Sequence, residues 1–364
     1  MRTLLAVETS CDDTSAAVLE EDGRVLSSFV SSQNDVHAPY GGVVPELASR
    51  QHLASLPGTV SAALMGAGVS EKDLGALAVT CGPGLQGSLL VGVSFAKAMS
   101  WALGVPLLGV NHVEAHLRSP WIENPDLPYP SLGLVVSGGH SHVFFCKAPR
   151  EVALVAATRD DAAGEALDKL GKRLRLPYPG GPVMDRLSAR GNPKAVAFSL
   201  PRMSSGAADY SFSGIKTAAL HYMNQLGLET PQGAGPDDLP PWAYDLIASY
   251  QKRIVDHLLQ VIKRAALSLK PRCITMAGGV ACNGLLRRRF TELGVELGIP
   301  AAFPRPSYCT DNAAMVGFLA LSQTRGPGDR TELDAFPTAI WPRIPLEGKT
   351  PCLQNSRKQR YRKH

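Results

Sequence analysis

Apolar positions in this chain fall into short runs closed by polar or glycine-rich turns, and longer stretches with helical spacing separate them. Leu4–Val7, Thr14–Leu19 and Val25–Val30 read as strands, joined by a polar turn at Glu8–Asp13 and by Asp22-Gly23. A helix is expected from Pro45, because proline suits a first helical turn, with Pro57-Gly58 breaking or kinking it. Gly75–Cys81 reads as a buried strand, Gly82–Gly87 as a glycine-rich loop, Ser88–Leu103 as a helix, Val105–Val110 as a strand and His112–Trp121 as another helix.

The plan then restarts. Leu132–Val136 and His142–Cys146 read as strands around the turn Ser137–Ser141, and residues 162–175 look helical. Asp245–Leu269 is the longest amphipathic stretch. A strand at Cys273–Met276 runs into the small-residue turn Ala277–Asn283 and a helix, and a last helix is expected from Asp311. Hairpins alternating with helix–strand units predict an α/β fold in two similar halves, each with helices covering a sheet. The expected division is residues 1–130, residues 131–345 with an elaborated loop region at about 177–240, and a tail at 346–364.

Composition narrows the class. The chain has 364 residues, 45% hydrophobic and 19% charged, which suits two domains of a globular enzyme. Its formal charge of +5 resembles a nucleic-acid signal until it is localised. Lys349, Arg357, Lys358, Arg360, Arg362 and Lys363 lie in the tail without an acidic residue, and removing these six from +5 leaves −1 for the rest. The seven cysteines form no C-x-x-C pair, a pattern of reduced thiols, and no apolar run approaches the roughly 20 residues of a membrane span. With no leader-like segment after Met1, a cytoplasmic setting without membrane contact is expected.

The three turns Glu8–Asp13, Ser137–Ser141 and Ala277–Asn283 each follow an apolar strand, and their backbone amides could cradle an anion between the halves. There is no G-x-x-x-x-G-K-[ST] loop, and no G-x-G-x-x-G opens the first half. His112 and His116, four apart on a helix, share one face, as two ligands of one metal would, or as two ordinary helix histidines would. A zinc-protease motif would need Glu immediately after the first histidine, where Val113 stands; Glu114 lies about 200° around the helix from His112. Asp311 is either a third, carboxylate ligand or the N-cap of the last helix. Two nitrogens and one oxygen suit Fe(II) or Zn(II).

An ordered set of motifs completes the reading: Glu8–Thr14, His37–Arg50 (HAPYGGVVPELASR), Gly82–Leu85, His112–His116, Val136–His140 (VSGGH), Gly164–Lys169 (GEALDK), Tyr178–Pro182 (YPGGP), Tyr210–Thr217 (YSFSGIKT), Met276–Asn283 (MAGGVACN) and Cys309–Asn312. Over roughly residues 1–345 the chain resembles the universal tRNA N6-adenosine threonylcarbamoyltransferase family, in a bacterial style.

The resemblance implies an actin-like, sugar-kinase-like ATPase fold of two duplicated domains around a cleft. It implies transfer of threonylcarbamoyl from threonylcarbamoyl-AMP to N6 of adenosine 37 of tRNA, with release of AMP. His112, His116 and Asp311 would hold one divalent metal ion, Fe(II) before Zn(II). Val135, Val136, Ser137, Gly138, Gly139, Asp168, Gly181, Asp185 and Asn283 would bind the adenylate. The implied partners are tRNA, a paralogous actin-like subunit and a small P-loop ATPase. Asn111 departs from the pattern, since many relatives carry another histidine there. The reading from a different class is an actin-like ATPase or small-molecule kinase, for which Asp12 would be the base.

Overall fold

A computed structural model describes residues 3–199, 209–231, 233, 235–323 and 341–344; the basic tail lies outside the described residues. Five strands build the first sheet: β1 (Thr3–Glu8), β2 (Asp13–Glu20), β3 (Val25–Ser32), β4 (Leu74–Gly82) and β5 (Leu107–Asn111), in the order β3-β2-β1-β4-β5. The first three pair antiparallel, and β4 and β5 run parallel to β1. The second sheet repeats the plan with β6 (Ser131–Val136), β7 (Ser141–Ala148), β8 (Glu151–Ala157), β9 (Cys273–Ala277) and β10 (Ala301–Ala302), in the order β10-β9-β6-β7-β8. Strand directions match those of the first sheet. The central strands β1 and β6 are buried throughout, as strands covered on both faces must be.

The principal helices are α1 (Pro45–Ala67), α2 (Gln86–Leu103), α3 (His112–Arg118), α4 (Ala163–Arg173), α5 (Gly180–Ser188), α6 (Ser213–Gln225), α7 (Pro241–Leu269), α8 (Gly284–Leu297) and α9 (Ala313–Gln323). Alternation along β1 decides which helix each residue meets. Leu5 and Val7 pack under α1 and α2, against Leu56, Val60 and Val93. Leu4 and Ala6 face the opposite way and meet Ala313, Met315 and Val316 of α9. In the second sheet, Leu132, Leu134 and Val136 pack on α4 and α7, whereas Val135 meets Val113 and Leu117 of α3.

The two connecting helices are therefore exchanged. Helix α3 follows the first sheet in the chain and covers the second; α9 follows the second and covers the first. Two glycines permit these close seats: a Cβ on Gly133 would lie 2.2 Å from Leu117, and one on Gly317 would lie 2.3 Å from Leu19.

Several local expectations need correction. Pro57 does not break α1. Leu53, Ala54, Pro57 and Gly58 all lie on its exposed side, while His52, Leu56 and Val60 face the core. A missing backbone donor on the wet side can be replaced by water, and the buried stripe holds the helix together. Two helices, α5 and α6, fall inside the segment 177–240, and α7 begins at Pro241, four residues before Asp245. Strand β8 was not foreseen; its apolar run carries no alternation and is recruited by pairing with β7. Among the described residues no helix is long and apolar enough to cross a membrane.

Candidate functional site

The helix exchange brings the start of α3 and the segment before α9 together. Asn111 caps α3, its side chain accepting from the amides of Val113 and Glu114 at 3.0 and 3.1 Å. The unusual asparagine thus has a local role, and the next residue, His112, begins the helix. One turn on is His116; the two rings lie 4.7 Å apart, nearly perpendicular.

Asp311 reaches this pair from 195 residues away. His116 Nε2 lies 3.0 Å, and His112 Nε2 3.7 Å, from Asp311 Oδ1. The possible ligand atoms of these three residues all lie within 4.8 Å of one another. Asp311 is not the cap of the last helix: Asn312 fills that role, its Oδ1 accepting from the Met315 amide at 2.9 Å, and α9 starts at Ala313. Its carboxylate is thereby left to the histidines.

The residue that sequence reasoning missed here is Glu8. Fully buried at the end of β1, its carboxylate accepts from the Ser10 amide, from Thr80 Oγ1 at 2.6 Å and, at 3.0 Å, from His112 Nδ1. A carboxylate on one imidazole nitrogen fixes the ring and turns the other nitrogen outward, the usual support for a metal-ligating histidine. The available signal was an acidic residue closing the apolar run TLLAV, where a buried charge demands a partner.

Electrostatics follow from this crowding. Burial works against the charged form of His112, yet Glu8 and Asp311 outweigh it and raise its pKa to about 9. Burial also opposes the charge on Asp311, but His112 and His116 hold it well below the ordinary carboxylate range. Burial lowers His116. In the turn after β1, burial and then Asp311 and Asp12 push Asp13 up to about 7, and Asp12 is raised for similar reasons. Two imidazoles and a carboxylate converging beside further crowded carboxylates suit a divalent cation, and the donor set is that of a His-His-carboxylate site.

The second sheet supplies the other wall. Val135 and Val136 end β6 with side chains wholly in the core, so only their backbone can face a ligand. The turn that follows closes on itself: the Ser137 amide donates to the His140 carbonyl at 2.8 Å, and the His140 amide to Ser137 Oγ at 3.2 Å. The His140 ring lies 6.2 Å from that of His112, which joins this turn to the histidine pair. Burial and the neighbouring His112 lower His140 to about 3, so the turn carries no charge. A Cβ on Gly138, Gly139 or Gly181 would meet nothing within 4 Å, whereas one on Gly164 would lie 2.6 Å from the Ser137 carbonyl. The first three border open space, and Gly164 lets α4 sit on the turn.

Asp168, Asp185 and Asn283 fasten helix ends. Asp168 Oδ1 accepts from the Gly180 and Gly181 amides at 2.8 and 3.1 Å. Both Asp185 oxygens are engaged, one by Gln251 at 2.9 Å and the other by the Gly284 amide at 2.8 Å. Asn283 caps α8 through the Leu286 amide. The turn containing Gly278 abuts the same place, since a Cβ there would lie 2.3 Å from the Val136 carbonyl.

Duplicated sheets with exchanged helices define an actin-like ATPase fold, here with a candidate metal triad where the two sheets' elements meet. Solved structures agree on the fold. Component A of the (R)-2-hydroxyglutaryl-CoA dehydratase of Acidaminococcus fermentans matches with a TM-score of 0.52 at 13% identity, over 89% of this chain and 99% of that one. The T. kodakarensis HypF structure matches at 0.56 and 14% identity, over 88% of this chain and 47% of that one.

The sequence model of tRNA N6-adenosine threonylcarbamoyltransferase matches residues 24–318. Relatives of that name from Syntrophotalea carbinolica and Geotalea uraniireducens are 46% and 45% identical, over 96% and 93% of this chain and 99% and 96% of their own lengths. The chain belongs to the tRNA N6-adenosine threonylcarbamoyltransferase family.

Proposed function

We propose that this protein transfers the threonylcarbamoyl group of threonylcarbamoyl-AMP to N6 of the adenosine at tRNA position 37, forming N6-threonylcarbamoyladenosine and releasing AMP. Near end-to-end identity of 46% with a curated relative of this name carries the reading. It is joined by the site, where a His-His-carboxylate cluster faces an uncharged glycine turn. The alternative, an ATPase or small-molecule kinase on the same fold, has no use for that cluster.

A divalent ion held by His112, His116 and Asp311, iron first and zinc second, would supply Lewis acidity toward the mixed anhydride, worth several kcal/mol. Glu8 keeps His112 oriented for that task through Nδ1. The Gly138 and Gly139 amides, bordering open space, suit the phosphate of the adenylate, because unsubstituted backbone allows close approach. Asp168 uses Oδ1 to hold α5, leaving Oδ2 for a ribose hydroxyl; Asp185, with both oxygens engaged, serves by placing α5 against α8. Gly181 lies beside Asp168, and Asn283 sets the third turn behind Val136.

A role in modifying tRNA supports a cytoplasmic setting, and the proposal includes a paralogous actin-like subunit and a small P-loop ATPase as partners. An apolar groove of about 490 Å³ between α1 and α2, lined by Leu53, Leu56, Pro57, Leu90, Val91 and Phe95, supports a subunit contact there. A partner of the same fold would bring the equivalent helix pair. The test is incubation of the protein and its partner subunits with threonylcarbamoyl-AMP and unmodified tRNA. Modified adenosine should appear in digests and vanish with His112→Ala; no product, or full product from the variant, removes the reading.

A further inference from the structure

A second feature lies outside the triad and glycine turns: a cavity of about 300 Å³ between the turn at Ala38–Tyr40 and the C-terminal end of α4. Its wall includes Tyr40, Gly41, Lys172, Arg175 and Tyr178, and its floor includes Asp168. We propose that this cavity docks the single-stranded loop of the RNA substrate, with Tyr40 and Tyr178 stacking on bases and Lys172 and Arg175 meeting phosphates. The proposal rests on the transferase reading above and gives it a substrate surface.

The cations are uncompensated. Lys169, one turn earlier on α4, is bridged to Asp161 and Glu165 at 2.7 Å each. Lys172, Arg173 and Arg175 are exposed and form no ion pair among the described residues; Lys172 donates only to the Tyr40 carbonyl, at 3.1 Å. Three unpaired cations at a helix end, on a body whose charge outside the tail is −1, make a local polyanion site rather than a general basic surface.

Backbone conformation fixes where Arg175 stands. Arg175 sits at φ 59°, just beyond the end of α4, where glycine is the usual residue. A side chain there costs about 1 kcal/mol in strain. Backbone bonds from the Arg175 and Leu176 amides to the Lys172 and Gly171 carbonyls hold that conformation, and among the described residues no acidic group pairs with the Arg175 side chain, which lines the cavity.

The Tyr40 turn is presented rather than loose. His37, fully buried, ties it down from behind, pairing with Gln33 at 3.2 Å and accepting from the Val44 amide at 3.3 Å. Tyr40 itself is 56% exposed. Gly41, at φ 63°, lets the Lys172 stem cross the turn, since a Cβ there would come within 3.2 Å of it. Aromatic rings interleaved with unpaired cations recognise unstacked bases and their backbone, the form in which RNA loops are read. The cavity also adjoins the residues proposed for the adenylate, because Asp168, which accepts from the Gly180 and Gly181 amides, lines it.

The test measures binding of an unmodified anticodon stem-loop to the full-length chain by fluorescence anisotropy over a salt series, with thermal melts to confirm folding. The double variant Lys172→Glu/Arg175→Glu should weaken binding at least about 10-fold and flatten the log K against log salt slope by about 1.5. Tyr40→Ala should weaken it about 10-fold with the slope unchanged. Arg264→Glu, an exposed cation on α7 outside the cavity, should change little. Wild-type affinity and slope in the double variant overturn the proposal, as does displacement of the RNA equally well by duplex DNA. If that happens while threonylcarbamoyl transfer persists, only the surface falls; if neither transfer nor RNA binding occurs, the transferase reading falls with it.

Discussion

Between β1 and β2 the chain turns through Glu8–Asp13, and between β6 and β7 it turns through Ser137–His140. Both turns leave a buried central strand and enter an antiparallel partner in sheets of matching order. The first turn carries Asp12 and Asp13 and ends the strand on Glu8, and its carboxylates are crowded enough to push Asp13 to about 7. The second has two adjacent glycines facing open space and a histidine lowered to about 3. Duplication kept the backbone and divided the chemistry: one turn suits a cation, the other the phosphate of a substrate. Under the proposed function, the difference would let one cleft take an ion and an anion side by side without each half having to do both.

The comparison breaks most sharply at the cation side. Asp311→Ala should remove bound metal and lower transfer on the order of 10³-fold, equivalent to about 4 kcal/mol of lost charge stabilisation; metal analysis of the purified variant checks it, and undiminished metal would count against the triad. Glu8→Gln keeps the ligands and loosens only the His112 support, so metal affinity should fall about 10- to 100-fold, read by competition with a chelating dye.

On the other side, Gly139→Val fills the open space at the second turn. KM for the adenylate should rise about 10-fold while metal content and melting temperature stay near wild type, since more than 1 kcal/mol of binding but no packing is lost. Gly278→Ala is the contrasting change, because φ +99° and the Val136 carbonyl leave no room; it should lower the melting temperature rather than KM alone.

The smallest effect is a pH dependence. Asp13 has a folded pKa raised above its unfolded value, so the folded state binds the extra proton between roughly pH 4 and 7. Its ionisation therefore costs stability as pH rises through that window. In metal-stripped protein, Asp13→Asn should gain stability relative to wild type between pH 4 and 7 and hold the gain above it. Ser137→Ala, without a titrating group, should show a difference from wild type that does not change with pH.

The metal triad shows how far a linear reading reaches. Four-residue spacing put His112 and His116 on one helix face, but the same spacing fits two unconnected histidines, and Asp311 read equally well as a cap. Asn312 settles the cap, and that is visible only once α9 has a start. Glu8 was legible as an odd charge in an apolar strand, yet its partner lies 104 residues on. Of the break or kink expected at Pro57, the break is absent for a related reason: proline's penalty depends on whether the missing bond faces water or core.

What the sequence determined alone were the local units: strands β1 to β3, the glycine turns, the helix bearing the histidine pair, and the repeated plan. These follow from periodicity, turn residues and backbone restrictions acting over a few positions. The tertiary structure decided the rest, because long-range packing decided it. Exchange of α3 and α9 between the sheets is what brings Asp311 to His116, and the strand order β1-β4-β5 is what brings Glu8 to His112. Both sheets carry buried apolar residues on both faces, which leaves that exchange unwritten in any local pattern, and it is the exchange that turns two ordinary helix starts into one site.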